Sequence, residues 1–349
     1  MISLYDLRSM LKVVETLPPV RTFVKDTFFK KGEVSLTDAV DIDIIKGKRK
    51  LAPFVSPLRQ GKLVERDGYT TRTFKPAYVK PKMITTVDDI LKRLAGEQIY
   101  TNDVYSKMRD LASARLAKDL QQLNTMITRR EEWMACKAIT EGSVPVVGDG
   151  VNDSISYLFD SSQLPVFSGT ARWNQSTTCT PIADLKRLKR ERVQKSFAPN
   201  ICIMGTGAID NFLKADEVIG NSTGGKNLFN MTKVNIGQID IKILPEGVTY
   251  YGRLEEVGLD LYSYEEWVVN PLTDALEPLI PENAVILGST QALATFNYGA
   301  IKDLSCLNPY ERFPKSWEEE DPSVRYLMLQ SAPLPILNEA DAWVSARVY

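Results

Sequence analysis

The sequence predicts an α+β protein in which a projecting β-hairpin and one very long helix are attached to a mixed body. Three observations predict it. Residues 46–82 hold eleven Lys and Arg against only Glu65 and Asp67, a segment charge of +9 in a chain of net charge −1, so the remainder carries −10. A stretch so charged and so poor in contiguous apolar residues cannot bury both faces and should project from the body. Residues 102–139 place apolar side chains at intervals of mostly three or four, with no Gly or Pro between Asp103 and Thr140. Such spacing is one stripe of a helix, here of about 36 residues and roughly 54 Å. Beyond residue 150, short strand-like runs alternate with brief helices and no internal repeat.

Bulk properties bound the classes of function. The chain has 349 residues, 44% apolar and 25% charged, values ordinary for a globular protein of one or two domains. No apolar run reaches eighteen residues, so no membrane span or membrane partner is expected. The N-terminus, MISLYDLRSMLKVVE, is amphipathic and lacks the apolar core and small-residue cleavage site of a secretory signal. Cytoplasmic assembly is the expectation. Cys136, Cys179, Cys202 and Cys306 are scattered without a CxxC pair, a pattern of free thiols rather than of a disulfide frame or metal site. Histidine is absent altogether. That removes Ser–His and Cys–His nucleophile systems, His-containing metal sites and the commonest general base near neutral pH.

Taken in order, Leu4, Leu7, Leu11 and Val14 give residues 3–16 the spacing of a short helix with Ser3 as its cap, stopped by Pro18-Pro19. Residues 20–36 read as an extended arm bearing Phe23, Phe28 and Phe29, which pack either on the protein's own body or on a neighbouring copy. Residues 39–45 alternate as a strand. Lys46-Gly47 and Asp67-Gly68 mark turns, and Leu63-Val64 and Tyr69–Phe74 are strand-like. Residues 38–82 are therefore expected to form a long hairpin with an irregular crossing at Pro53 and Pro57. A capped helix is expected at 86–97.

In the long helix, one face carries the apolar stripe and the other is expected to be charged, with Lys107, Arg109, Arg115, Lys118, Arg129, Arg130, Glu131 and Glu132. Gly142–Gly150 reads as a turn and Ser154–Phe159 as a strand. Thr180 and Pro181 open a helix over 180–196, Ile201–Met204 is a short buried strand, and Gly207–Ala215 continues as a helix. Further strands are expected at 238–244, 249–252, 258–265, 266–270, 284–288, 292–297, 326–330 and 342–348. The acidic run Glu318–Asp321 is either a complement to the basic hairpin or an exposed loop cluster.

No catalytic constellation emerges. Gly220–Lys226 fits G-x4-G-K, but Asn227 stands where a magnesium-binding Ser/Thr is needed, and the preceding residues read as a helix end instead of a strand. Gly205-Thr-Gly207 lacks the third glycine of a dinucleotide site and serves a strand-to-helix turn. Paired acids such as Asp41/Asp43 and Glu255/Glu256 lack the spacing of an acid–base couple. No cofactor, metal or catalytic residue is assigned.

One set of motifs carries a resemblance. Arg49-Lys-Leu-Ala-Pro-Phe-Val-Ser-Pro57, Gln60-Gly-Lys62, Gly68-Tyr69 with Thr71-Arg72, and Phe74-Lys-Pro-Ala-Tyr-Val-Lys-Pro-Lys82 resemble the major capsid protein E family of lambda-like tailed phages. So do Leu91-Lys-Arg-Leu-Ala-Gly-Glu97, the Leu17-Pro-Pro to Phe29 arm and Gln330-Ser-Ala-Pro-Leu-Pro335. The likeness spans nearly the whole chain, by layout more than by motif over 160–320. It implies the tailed-phage capsid fold: an N-terminal arm at 1–37, an extended hairpin loop at 38–82, a peripheral domain with a spine helix at 83–164, an axial domain at 165–310, and a return to the peripheral domain at 311–349. It implies a non-enzymatic head protein of the virion that self-assembles through pentamers and hexamers into an icosahedral shell around double-stranded DNA. A scaffold, a maturation protease and a portal are the implied partners, and a decoration protein is compatible with the family but signalled by no residue. Lys48, Arg49, Lys50, Phe54, Arg59, Arg72, Phe74, Lys75, Tyr78 and Lys80 are the expected inter-subunit contacts. The alternative is a nucleic-acid-binding module using the same basic hairpin, with Tyr69, Phe74 and Tyr78 stacking on bases.

Overall fold

The structure is a computed structural model that describes residues 7–17, 20–37, 39–45, 51–57, 59–63, 69–86, 104–219, 244–306, 308–321 and 324–349. Within these, helix α1 (Leu7–Thr16), helix α2 (Val24–Phe28), strand β1 (Lys30–Val34), hairpin strands β2 (Val40–Ile45) and β3 (Tyr69–Phe74), and strand β4 (Lys82–Thr86) precede the long helix α3 (Val104–Glu141). Then come β5 (Ser143–Gly148), β6 (Val151–Ser156), α4 (Pro181–Lys195), β7 (Ile201–Met204), α5 (Thr206–Lys214) and α6 (Asp216–Ile219). The chain continues through β8 (Val248–Leu254), β9 (Leu259–Tyr264), β10 (Trp267–Val269), β11 (Leu276–Pro278), β12 (Ala284–Gly288) and β13 (Ala294–Tyr298). It ends in β14 (Phe313–Glu319), β15 (Val324–Gln330), β16 (Pro333–Leu337) and β17 (Val344–Arg347).

The body is built on a five-stranded mixed sheet, order β17-β12-β7-β9-β8, in which only β7 and β9 run parallel. Both of its faces are covered, which explains the unbroken apolar runs of β7 and β12. Alternate residues divide between two cores. Cys202, Met204, Val285 and Leu287 face α4 and α5 through Leu185, Leu188, Ile209 and Phe212. Ile201, Ile203 and Ile286 face the N-terminal arm and the C-terminal half of α3. A third core joins the middle of α3 (Leu116, Leu120, Leu123, Ile127) to Met10 of α1 and to Leu327 and Leu329 of β15.

The 38 residues of α3 span roughly 57 Å at the standard helical rise, enough to run from one core to another. Gly142, at φ +64, ends the helix in the left-handed conformation that glycine adopts without strain. The chain then turns directly into the β5–β6 hairpin. Residues 142–150 are thus mostly strand, and not the turn the sequence predicts. Five further strands were hidden, among them β11, only three residues long and closing a short hairpin with β10. Pro314, Pro333 and Pro335 lie in β14 and β16, which are edge strands where a missing N–H costs no ladder bond. β1 and β4, short and polar, also occupy edges. The expected strand at Leu63-Val64 is not formed at Leu63, and Val64 lies outside the described residues, as do the turns at 46–47 and 67–68, the Gly220–Asn227 loop, the strand expected at 238–244 except its last residue, and the helix expected at 86–97 except Thr86, which belongs to β4.

The arm resolves toward its own body. Phe23 packs on Tyr262 and Tyr264 with ring centroids 5.3 and 5.5 Å apart, Phe28 stands edge-on to Trp343 at 4.6 Å, and Phe29 meets Phe296 at 5.9 Å. β1 then adds in parallel to β13.

Two glutamates of α3 hold this arm. They were expected on a solvated face, yet Glu131 is 0% and Glu132 2% exposed. The Glu132 carboxylate accepts the backbone N–H groups of Phe23 (3.0 Å), Val24 (2.7 Å) and Lys25 (3.0 Å), the otherwise unsatisfied donors at the start of α2. Glu131 accepts from Lys25 Nζ at 2.7 Å and from Arg312 Nη1 at 2.6 Å. Arg312 also donates to Ser331 Oγ at 2.8 Å and to Asn124 Oδ1 at 3.2 Å. Burial raises the Glu131 carboxyl, but Arg312 and Lys25 outweigh it and hold it below the ordinary carboxylate range. At Glu132 burial prevails over the three N–H donors and pushes the carboxyl up to about 7.

Two outcomes are expected. Glu131→Ala leaves Lys25 and Arg312 partly buried without their counter-charge and should lower the unfolding free energy by about 3–5 kcal/mol, read by denaturant titration of the subunit. Glu132 is protonated more readily in the folded than in the unfolded chain, so its contribution is full below the ordinary value of 4.5 and is lost as pH rises through about 7. With no histidine in the chain, stability should fall between pH 5 and 7.5. That slope should flatten in Glu132→Gln, and a slope that survives the substitution would assign it to other groups.

Candidate inter-subunit loop and its root

The basic segment divides into a rooted base and a free crossing. β2 and β3 pair antiparallel from Val40↔Phe74 to Ile45↔Tyr69, with the Val40–Phe74 end packed on the main core. Between them the described residues 51–57 and 59–63 form no helix or strand, and all of them are exposed. Phe54 is fully exposed, Leu51 is 95% and Leu63 is 98% exposed. Arg59 and Lys62 are exposed beside them. Three large apolar side chains held in water on one loop amount to about 1.5–3 kcal/mol each of unused burial.

The base belongs to the body. Phe74 is only 8% exposed and contacts Tyr157 at a centroid distance of 6.2 Å. Pro76 lies against Gly299, where an added Cβ would come 2.4 Å from the proline Cγ. Tyr78 donates its hydroxyl to Gln330 Oε1 in a short hydrogen bond. Gln330 Nε2 donates to Asp303 at 3.0 Å, and Lys315 Nζ donates to the same oxygen at 2.7 Å. Burial works against the Asp303 carboxylate, but the bonds from Lys315, Ser305 N–H and Gln330 outweigh it and bring it down to about 2. Burial also pushes the Tyr78 phenol up. Val79 and Ser331 exchange backbone bonds of 2.8 and 2.9 Å. Lys82 then opens β4, which completes the β14-β15-β4 sheet.

The structure therefore sorts the expected contact residues. Phe54, Arg59, Lys75 and Lys80 are exposed and available. Arg72 and Tyr78 are half-buried, the latter with its hydroxyl engaged. Phe74 is corrected: it is an anchor in its own monomer, because its β-strand position turns it inward onto Tyr157. The same burial removes Phe74 from any base-stacking surface. Lys48, Arg49 and Lys50 lie outside the described residues.

Sequence reasoning missed Glu131 and Glu132, although a signal existed. The stripe Leu116, Leu120, Leu123, Ile127 steps next to residue 131 before Met134 and Ala138. An acid on the core stripe of a helix signals a buried charge with a partner. Among the described residues no group of three or more metal-type side chains forms, and no helix is long and apolar enough to cross a membrane.

A mixed body carrying a long helix, an intramolecular arm and a stiffly rooted, solvent-exposed basic loop has the architecture of a self-assembling shell subunit. The comparisons with known proteins give the particular family. The model of the family described as phage major capsid protein E matches residues 6–348, and the chain belongs to that family. It is 26% identical to the major capsid protein of Escherichia phage lambda over 92% of each chain, and 26% identical to that of Escherichia phage N15 over 99% of each. The fold is that of a capsid protein of a prophage of E. coli CFT073, whose crystal structure superposes with a TM-score of 0.66 at 19% identity over 99% of both chains. A phage-related protein from Bordetella bronchiseptica shares it with a TM-score of 0.54 at 12% identity, over 97% of this chain and 95% of the other. The chain is a major capsid protein, a structural component of the virion head and not an enzyme.

The root can be tested directly. Gly299→Val drives methyl groups into the rigid Pro76 ring and should cost roughly 1–3 kcal/mol of stability. An unchanged denaturant midpoint would show that Pro76 gives way freely.

Proposed function

We propose that the subunit builds its shell by laying the 46–63 loop over the body of an adjacent copy in rings of five and six. The observation that carries this is the near-complete exposure of Leu51, Phe54 and Leu63 on a loop whose base is fixed in its own body. Membership of a capsid-protein family supports copies of this chain as the partners. In this reading the shell encloses double-stranded DNA, and a scaffold, a maturation protease and a portal act during its assembly. The arm (1–37), loop (38–82), peripheral (83–164 and 311–349) and axial (165–310) parts are functional divisions. Residues 74–82 serve as the fixed root of the loop.

The charge split sets the energetics. Each exposed ion pair contributes about 0–1 kcal/mol, too little to hold two copies. Repeated around a ring and joined to the burial of Leu51, Phe54 and Leu63, such pairs make a cooperative lattice. A two-stranded ribbon with few core contacts can also re-dock without unfolding the body when the shell changes shape.

The combined variant Phe54→Ser, Arg59→Glu, Lys62→Glu touches only exposed positions. It should leave circular dichroism and thermal unfolding of the subunit unchanged while abolishing shells in electron micrographs. Normal particles from this variant would refute loop docking.

A further inference from the structure

The β10–β11 hairpin presents an apolar face that the body does not use. Trp267 pairs with Pro278 and Val269 with Leu276 across its two strands, so these four side chains share one face. Val268, between them, points the other way and packs against the main core. The outward face stays in water: Trp267 is 41%, Val269 59% and Leu276 62% exposed, and Leu272 at the tip is 58% exposed. The tip is stiff. Asn270 exchanges backbone bonds with Asp274 and Ala275 at 2.9 Å, accepts from Leu272 N–H at 3.0 Å and donates to Glu277 at 2.9 Å. The patch is therefore held out and does not collapse inward.

Charge identifies what covers it. From residue 254 to 301 the chain has eight acids (Glu255, Glu256, Asp260, Glu265, Glu266, Asp274, Glu277, Glu282) and no Lys or Arg. Four of these acids, Glu265, Glu266, Asp274 and Glu277, lie on or beside the hairpin; Glu266 accepts from the Tyr264 hydroxyl and Glu277 from Asn270, but no cation pairs with any of the four among the described residues. The 46–82 segment, at +9, is the one strongly basic segment of comparable length, and its loop carries the exposed Leu51, Phe54 and Leu63 beside Arg59 and Lys62. The other acidic run, Glu318–Asp321, is already partly engaged. Glu318 pairs with Arg325, Glu319 accepts from Tyr326 at 3.1 Å, and Lys82 and Lys315 lie on the same sheet.

We propose that the outer face of the β10–β11 hairpin is the acceptor for the 51–63 loop of a second copy, with Phe54 seated on Trp267, Val269, Leu272 and Leu276 and the loop's cations meeting the hairpin's acids. The inference rests on the loop-docking reading above and specifies its receiving surface.

The test replaces Phe54 with the photo-crosslinker p-benzoylphenylalanine in the full chain and assembles shells from mixed light and heavy-isotope copies. Trypsin releases residues 254–302 as one peptide, since no Lys or Arg interrupts it after Arg253. Light–heavy crosslinks from the loop to that peptide are expected, and they should vanish when Val269→Asp and Leu276→Asp are added. Light–heavy crosslinks confined to other peptides, such as those holding Trp317 or Tyr326, would overturn this acceptor while leaving loop docking intact. Crosslinks of a single isotope only, or none, would overturn both.

Discussion

Two adjacent carboxylates near the C-terminal end of one long helix organise this subunit. Glu131 and Glu132 are adjacent on α3, and between them they fix two distant parts of the chain, the arm and the segment around Arg312. Glu132 caps α2 and so sets the direction in which the arm leaves toward β1. Glu131 gathers Lys25 from the arm and Arg312 from the segment leading into β14. Arg312 then reaches Ser331, whose backbone pairs with Val79 at the root of the loop. Buried charge is costly unless it is paired and hydrogen-bonded. Here every oxygen of both side chains has a donor, so an alternative packing of arm, helix or C-terminal strands leaves the Glu131 charge and the α2 N–H groups without partners. The network specifies one arrangement more than it adds stability.

That arrangement decides which elements close the monomer and which remain for copies. The arm, although extended, spends its aromatics on its own body: Phe23, Phe28 and Phe29 each find a ring within 6 Å. The basic segment does the opposite. From Phe74 to Lys82 it is tied to the body by a buried ring, a proline against a glycine, a hydrogen-bonded chain through Asp303, and a strand pairing. Ahead of Phe74 the described crossing, 51–57 and 59–63, forms no helix or strand and is exposed throughout. A stiff root with a free crossing transmits the orientation of the body to the loop, as a projecting contact requires.

Much of this was legible from residues alone. Period-two alternation located β2, a short buried run located β7, and strand signals located β9, β12 and β13. The charge imbalance marked the loop before any coordinate did. What escaped had physical reasons. Proline argues against a strand, yet Pro314, Pro333 and Pro335 sit on sheet edges where no donor is needed. Glu131 looked like part of a charged face because its partners, Lys25 and Arg312, stand 106 and 181 residues away. Phe74 looked like an anchor for a neighbour because it stands between Arg72 and Lys75 in the basic segment. The pleat that sends Lys75 outward sends Phe74 inward onto Tyr157.

The charge split also bears on why the monomer tolerates so much exposed apolar surface. A loop bearing Leu51, Phe54 and Leu63 and a hairpin bearing Trp267, Val269 and Leu276 would invite indiscriminate association if both were neutral. Each is instead bordered by charge of one sign, positive on the loop and negative on the hairpin. In the proposed contact, loop against loop and hairpin against hairpin would be repelled, and only the unlike pair would bring its apolar residues together. Such a contact is head-to-tail, and a head-to-tail contact closes into a ring or continues into an open array according to the angle at which it meets. For the proposed contact that angle would follow from the root of the loop and the placement of the hairpin, both features of the monomer's own packing.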